Sequence, residues 1–408
     1  MKKYARILGF TLFALSAAAV RAQAPQGLSA ANGQYYEVWS DGGNADAQFL
    51  ARELDSRFLL YNGFFHFNPK TLGGARLKVR AYRDRQTYDA YIKERIDTTS
   101  PGAVYLHYSQ PERRELVIHR GSTDEERMFS HQAFVQYLRA FVSYPPSWFR
   151  EGFAIYFSNV RFDSGQTGGG DGAAQAGLVY EENLAWLESV KALGTNGLSL
   201  ESLLLSDVKK SQPDNFQGVS WSLVSFMVES RNMKNSENTL KTDYFRIICE
   251  CFLLLSNSAS VEDNAQRLYD HIRGWVDFPV AERDYTRYLA ARKTFADLIN
   301  EGQRAYNDKD AKAAEEAFLS AKKQRPNHYA PYYYLGLLSY DGKQYGQAEE
   351  YYRAARQYGA EPALIAYALG INAAAAGRNA EAIAFLEQAK EASASYGEQA
   401  DTLIKRLR

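Results

Sequence analysis

The chain has almost no cysteine: Cys249 and Cys251 are the only two in 408 residues. Two positions apart on a helix they point to nearly opposite sides, so no mutual disulfide is expected. Charge of either sign is not in excess, with 48 basic against 48 acidic residues, which removes the basic footprint of a nucleic-acid binder. No G-x-S-x-G nucleophile elbow, phosphate-binding P-loop or paired C-x-x-C motif occurs. Without such a local pattern the scattered Ser, His and Asp residues define no catalytic triad. After the first 20 residues, no apolar stretch approaches the roughly 20 residues that a membrane-spanning helix needs.

Apolar and aromatic residues are plentiful. Hydrophobic residues make up 46% of the chain, with 29 Tyr and 22 Phe, which is globular and not disordered. A chain of 408 residues exceeds one ordinary core, so two or three domains are expected. Its first residues carry Lys2, Lys3 and Arg6, then an apolar run over residues 7–20, then Val20-Arg21-Ala22. This order reads as a secretory signal over residues 1–22, with an uncleaved anchor as the alternative. Cleavage would leave a net charge near −4, and no cysteine follows the run to take a lipid. The expectation is an exported protein, periplasmic or secreted, with no transmembrane segment after cleavage and no nucleic-acid partner.

From residue 295 onward the chain repeats itself with a period of 34. Gly302, Gly336 and Gly370 keep this register, as do Ala314, Ala348 and Ala382, and Ala321, Ala355 and Ala389. Phe318, Tyr352 and Leu386 fill the large position between the alanines. Each unit reads as a helix hairpin in which a glycine on the first helix admits a large side chain from the second. Neither helix buries its face alone, so stacked neighbours must complete the core. The spacing and residues resemble tetratricopeptide repeats, three of them over residues 295–392. Residues 393–408, with Leu403, Ile404 and Leu407 at near-helical spacing, would be a capping helix. The resemblance implies a groove for a protein or peptide. Tyr332, Tyr333 and Tyr340 are candidates to line it, and packing between helices is the competing role for each.

Residues 34–120 alternate strand and helix patterns: strands at 34–40, 76–82 and 115–119, and an amphipathic helix at 44–65. A small α/β lobe over 23–120 is expected, then a helical lobe over 121–290 broken by a Gly-rich segment at 163–177 that reads as a flexible surface insertion. On the first helices of that lobe lie two stretches, "HQAFV" at 131–135 and "WFREGFAIY" at 148–156. In an H-E-x-x-H motif two histidines at i and i+4 bind zinc from one helical face, and the glutamate between them is the general base. Together with the lobe before them and "GVSWSLVSFMVES" at 218–230, these stretches resemble the gluzincin branch of zinc peptidases over about residues 34–290. The resemblance makes His131 the first zinc ligand and Glu151 the third.

Two positions depart from the motif. Gln132 stands where the general base belongs, and its amide cannot take a proton from a zinc-bound water; such catalysis is typically worth about 10²- to 10⁴-fold. Val135 stands where the second histidine belongs and has no lone pair for a metal. His131 and Glu151 alone fall short of the three protein ligands of catalytic zinc. His66, His107, His119, His271 and His328 have no ligand spacing to them and read as ordinary histidines. Trp148 and Tyr156 read as core aromatics.

The sequence therefore predicts an α+β peptidase-like domain over 23–290 followed by an all-α helical-repeat superhelix. The function expected is that of an exported scaffold or binding protein with a degenerate, pseudoenzyme centre and no catalytic residue or cofactor. One alternative is an active zinc peptidase with substitute ligands. Another is a cell-envelope assembly factor acting through the repeats.

Overall fold

Strand β1 (Ser29–Asn32) and β2 (Tyr36–Ser40) lead into the long helix α1 (Asn44–Phe65). They are followed by β3 (Leu77–Tyr82), α2 (Arg85–Ile96), β4 (Ala103–Leu106) and β5 (Glu115–His119). The computed structural model describes residues 25–97, 100–162, 178–179, 182–194, 199–233 and 242–408. The expected leader at 1–22 and the Gly-rich segment at 163–177 lie outside the described residues.

The five strands form one mixed sheet in the order β1-β2-β3-β5-β4, parallel at β2–β3 and β3–β5 and antiparallel at both outer pairs. Alternation along β5 shows why it forms here: Leu116 and Ile118 join the main core beneath α1, and Val117 points to the other face against Tyr88 and Ile92 of α2. A strand covered on both faces reads as a continuous apolar run. The sequence pattern predicts β2, β3, β5 and α1 but not β1, β4 or α2, and β4 borders the candidate site.

Helices dominate after the sheet: α3 (Thr123–Phe141), α4 (Ser147–Tyr156), then the short strands β6 (Arg161–Phe162) and β7 (Leu178–Val179). Next come α5 (Leu187–Ala192), α6 (Leu200–Leu204), α7 (Ser206–Lys209), α8 (Phe216–Met233), α9 (Phe245–Leu254), α10 (Val261–Ile272) and α11 (Phe278–Ala291). Helix α3 starts where the Ser122 hydroxyl accepts from the Glu125 N–H, and Asp124, Glu125 and Glu126 complement its positive end. Asp207 of α7 accepts from the Ser147 N–H at 2.7 Å and so holds the start of α4. Cys249 is exposed and Cys251 buried on α9.

One buried ion network fixes α3 against the sheet domain. The Arg57 guanidinium, fully buried, donates to Glu53 at 2.9 Å, to Glu126 at 3.1 Å and to the Ser130 hydroxyl at 2.9 Å. Arg120 closes the ring on Glu53 at 2.7 Å, and the Ser130 hydroxyl in turn donates a hydrogen bond to the Val160 carbonyl at 3.0 Å. Every charge here has an opposite neighbour and a hydrogen bond, the condition under which buried ions persist. Ser130 immediately precedes His131, so the network sets the pitch of the helix face that carries the candidate site.

The last third is six helices in three pairs and a seventh that closes them. The pairs are α12 (Phe295–Asn307) with α13 (Ala311–Gln324), α14 (Tyr329–Asp341) with α15 (Tyr345–Gln357), and α16 (Pro362–Ala375) with α17 (Asn379–Ala392). Helix α18 (Gly397–Leu407) follows a 3-10 turn at Ala394–Tyr396. In each pair a glycine faces the large residue of the partner helix: a Cβ on Gly302 would sit 2.7 Å from Phe318 Cδ1, on Gly336 2.5 Å from Tyr352 Cε1, and on Gly370 2.8 Å from Leu386 Cγ. Ala314, Ala321, Ala348, Ala355, Ala382 and Ala389 are fully buried at the same contacts. Ala400 and Ile404 of α18 bury against Leu386.

The first pair is tied to the preceding domain through α5. Glu188 accepts from the Ala296 N–H at 3.2 Å and pairs with Arg325, and Lys191 donates to the Arg292 carbonyl at 2.7 Å. Among the described residues, no helix is long and apolar enough to cross a membrane.

Candidate functional site

Residues at i, i+1, i+4 and i+8 of one helix share a face, and on α3 these are His131, Gln132, Val135 and Arg139. All four line a cleft of about 510 Å³ that Arg150 and Glu151 of α4 close from the side. Tyr105 and His107, from β4 and the residues just after it, form another wall. The four positions singled out by motif therefore meet at one place, and His107, Arg139 and Arg150 join them.

Helix α4 reaches this position because Gly152 lets α8 come close. A Cβ there would lie 2.7 Å from Val224 Cγ2 and nearer still to the Ser220 carbonyl. Only a residue without a side chain permits that crossing. Trp148 and Tyr156 are buried, with Tyr156 packed on Phe157 and Phe153. The E-G pair at 151–152 thus places a carboxylate toward the cleft and a gap toward the helix behind it.

Glu151 is held by two side chains. His131 Nε2 lies 3.5 Å from one carboxylate oxygen, and Arg150 Nε donates to the other at 2.9 Å. Burial alone would raise the Glu151 carboxyl, but the His131 hydrogen bond and the Arg150 charge outweigh it and hold the group at about 2.

Gln132 is not free in the cleft. Its side-chain oxygen accepts the Tyr105 N–H at 3.1 Å, a donor that β4 does not direct to β5. Four residues on, Gln136 donates to the Lys78 carbonyl of β3 at 2.9 Å. Two glutamines one helical turn apart therefore tie α3 to two strands. Val135 presents methyl groups where a metal donor would be needed.

His107 stands in a wall of cations. Burial is the largest influence on its imidazole, Arg139, Arg114 and Arg150 act in the same direction, and the group is held down at about 4. Burial pushes the Tyr105 phenol up to about 12, so its hydroxyl keeps its proton and faces His107 Nδ1 at 3.4 Å. Nε2 of His107 and Nε of Arg139 are both buried without a hydrogen-bond partner among the described residues. No spacing rule finds His107, because only the β4–β5 pairing brings it near α3. Arg139 had a signal in the sequence, its i+8 position from His131.

A zinc ion would need three donors converging on one point. His131 and Glu151 are turned toward each other, the second Glu151 oxygen faces a guanidinium, and Val135 offers nothing. Among the described residues no three His, Cys, Asp or Glu side chains are grouped to hold a metal ion. This donor set does not fit zinc as it stands.

Of the three tyrosines considered for a peptide groove, Tyr332 is buried, with its hydroxyl donating to the Pro326 carbonyl at 2.8 Å and its ring 5.0 Å from that of Tyr358. Tyr333 and Tyr340 are half-buried, beside Tyr352 and Tyr345 respectively. No family model matches the chain, and no curated protein matches it.

Proposed function

We propose that the chain is an exported, non-hydrolytic binding protein. In this reading residues 23–290 are a gluzincin-like domain whose catalytic centre has been lost, residues 295–392 are three tetratricopeptide-type repeats, and 393–408 cap them. The observation that carries it is the state of Gln132. The side chain at the general-base position has no titrating acceptor and holds the Tyr105 N–H of β4, so it can neither take nor deliver the proton that peptide hydrolysis requires. The repeats, whose contacts between a glycine and a large side chain follow one register, supply a scaffold for a protein or peptide partner.

A second reading, an active zinc peptidase with substitute ligands, draws on His107, which lines the same cleft as His131 and Glu151. Metal analysis of the purified chain after dialysis against trace zinc separates the two. The expected result is less than stoichiometric zinc and no cleavage of an unstructured casein substrate. One zinc per chain, lost in His131→Ala and accompanied by cleavage, would overturn the non-hydrolytic reading. The reading of the repeats as an envelope assembly module has its own check: residues 295–408 alone would then retain every partner of the whole chain.

A further inference from the structure

Among the described residues the charges around the cleft do not balance: three guanidinium groups line it, those of Arg127, Arg139 and Arg150, against two carboxylates, Asp124 and Glu151. Arg150 is paired with Glu151 at 2.9 Å and Arg127 with Asp124 at 3.4 Å. Arg139 has neither an ion pair nor a hydrogen bond among the described residues, and its Nε is buried without a partner. A half-buried guanidinium in this state keeps its charge under all ordinary conditions, and leaving it unpaired is costly. An anion entering the cleft would remove that cost.

We propose that the cleft is a carboxylate-binding site in which the Arg139 guanidinium receives the ligand's carboxylate. The planar fork of arginine matches the two oxygens of a carboxylate in a bidentate pair. Charge number selects the same group. One unpaired cation suits a monoanion, whereas a phosphate dianion would bring a second negative charge close to Glu151, which stays ionised at neutral pH. Beyond the charged end, Val135, Ile155 and Trp186 offer apolar surface and Asn183 and Gln217 offer amides. A volume of about 510 Å³ is in the range of small-ligand sites and accommodates a short peptide end or a comparable carboxylic acid. The His107 ring, held neutral by burial and the surrounding guanidinium groups, adds no second charge to that wall.

The inference deepens the reading of this cleft as a binding site and rests on it, and the two can fail separately: cleavage of a peptide would defeat the non-hydrolytic reading but leave a preference for the free carboxylate standing. The test is calorimetric titration of the full chain with N-acetyl-dialanine and with its C-terminal amide, with acetate and inorganic phosphate as further probes. The free acid should bind about ten- to a hundredfold more tightly than the amide, the range of one charge-assisted bidentate contact. Arg139→Gln should abolish that difference, while Arg273→Gln, on the distant exposed end of α10, should preserve it. Acetate binding as tightly as the dipeptide would support the site and identify small carboxylic acids as its source of ligand. Equal binding of acid and amide to the parent chain, stronger binding of phosphate, or no binding of any probe at about 10 mM would overturn the proposal without reference to how the variant folds.

Discussion

Glu151 sits between an imidazole and a guanidinium, and this has a measurable consequence in acid. Its carboxyl titrates at about 2 in the fold against an ordinary 4.5. A depressed carboxyl contributes stability that is fully present above the unfolded value and is lost as pH falls from there through the folded value. The window is therefore pH 4.5 down to 2, and the amount is on the order of 3 kcal/mol. Urea denaturation across this range should show a loss of stability that Glu151→Gln removes, with the variant less stable than the parent at neutral pH. A parent and variant with parallel pH profiles would show that the His131 and Arg150 contacts do not hold in solution. His107 acts in a higher window: its imidazole is depressed from 6.5 to about 4, so the unfolded chain takes up that proton first and stability declines as pH falls between those values.

At the scale of elements, the glycines of the repeats oppose two effects that differ in sign. Replacing a helix-interior glycine by alanine ordinarily stabilises by about 1 kcal/mol. At Gly336 the added methyl would lie 2.5 Å from a ring carbon of the fully packed Tyr352, and overpacking of this kind costs about 1–3 kcal/mol. Gly336→Ala is therefore expected to lower the melting temperature, whereas Gly346→Ala on α15, where no atom of the described residues lies within 4 Å, should leave it unchanged or raise it. These contacts were legible in the sequence because the repeat displays each one three times. The strand at 115–119 and the helix at 44–65 were legible from alternation and amphipathic spacing. Strand β4 was not: its four residues are too few for a periodic pattern, and its place is set by pairing with β5. His107 was lost with it. The meeting of His131 with Glu151 followed from motif spacing, but the pairing of Arg150 with its neighbour Glu151 and the orphaned Arg139 did not, because spacing fixes neither the rotamer a side chain takes nor the partner it lacks.

For the whole molecule, the sheet domain and the repeats share a junction of few residues. Arg292, at the end of α11, pairs with Glu182 and lies over the Trp221 ring at 5.8 Å, and the next helix begins the repeats at Phe295. Side-chain contacts that cross to the repeats come from Glu188 of α5, to the Ala296 N–H and to Arg325, and Glu188→Ala should cost about 1 kcal/mol. Calorimetry of the parent is expected to give one coupled transition and the variant two, with the repeats melting apart from the domain. Two transitions already present in the parent would show that the junction transmits no stability. The Tyr105 N–H, accepted by Gln132, has a consequence of a different kind. Strand β4 is the outer member of its sheet, and an unguarded outer strand invites neighbouring molecules to pair with it and aggregate. By occupying that donor, the amide at position 132 covers one pairing position on the exposed rim of the sheet.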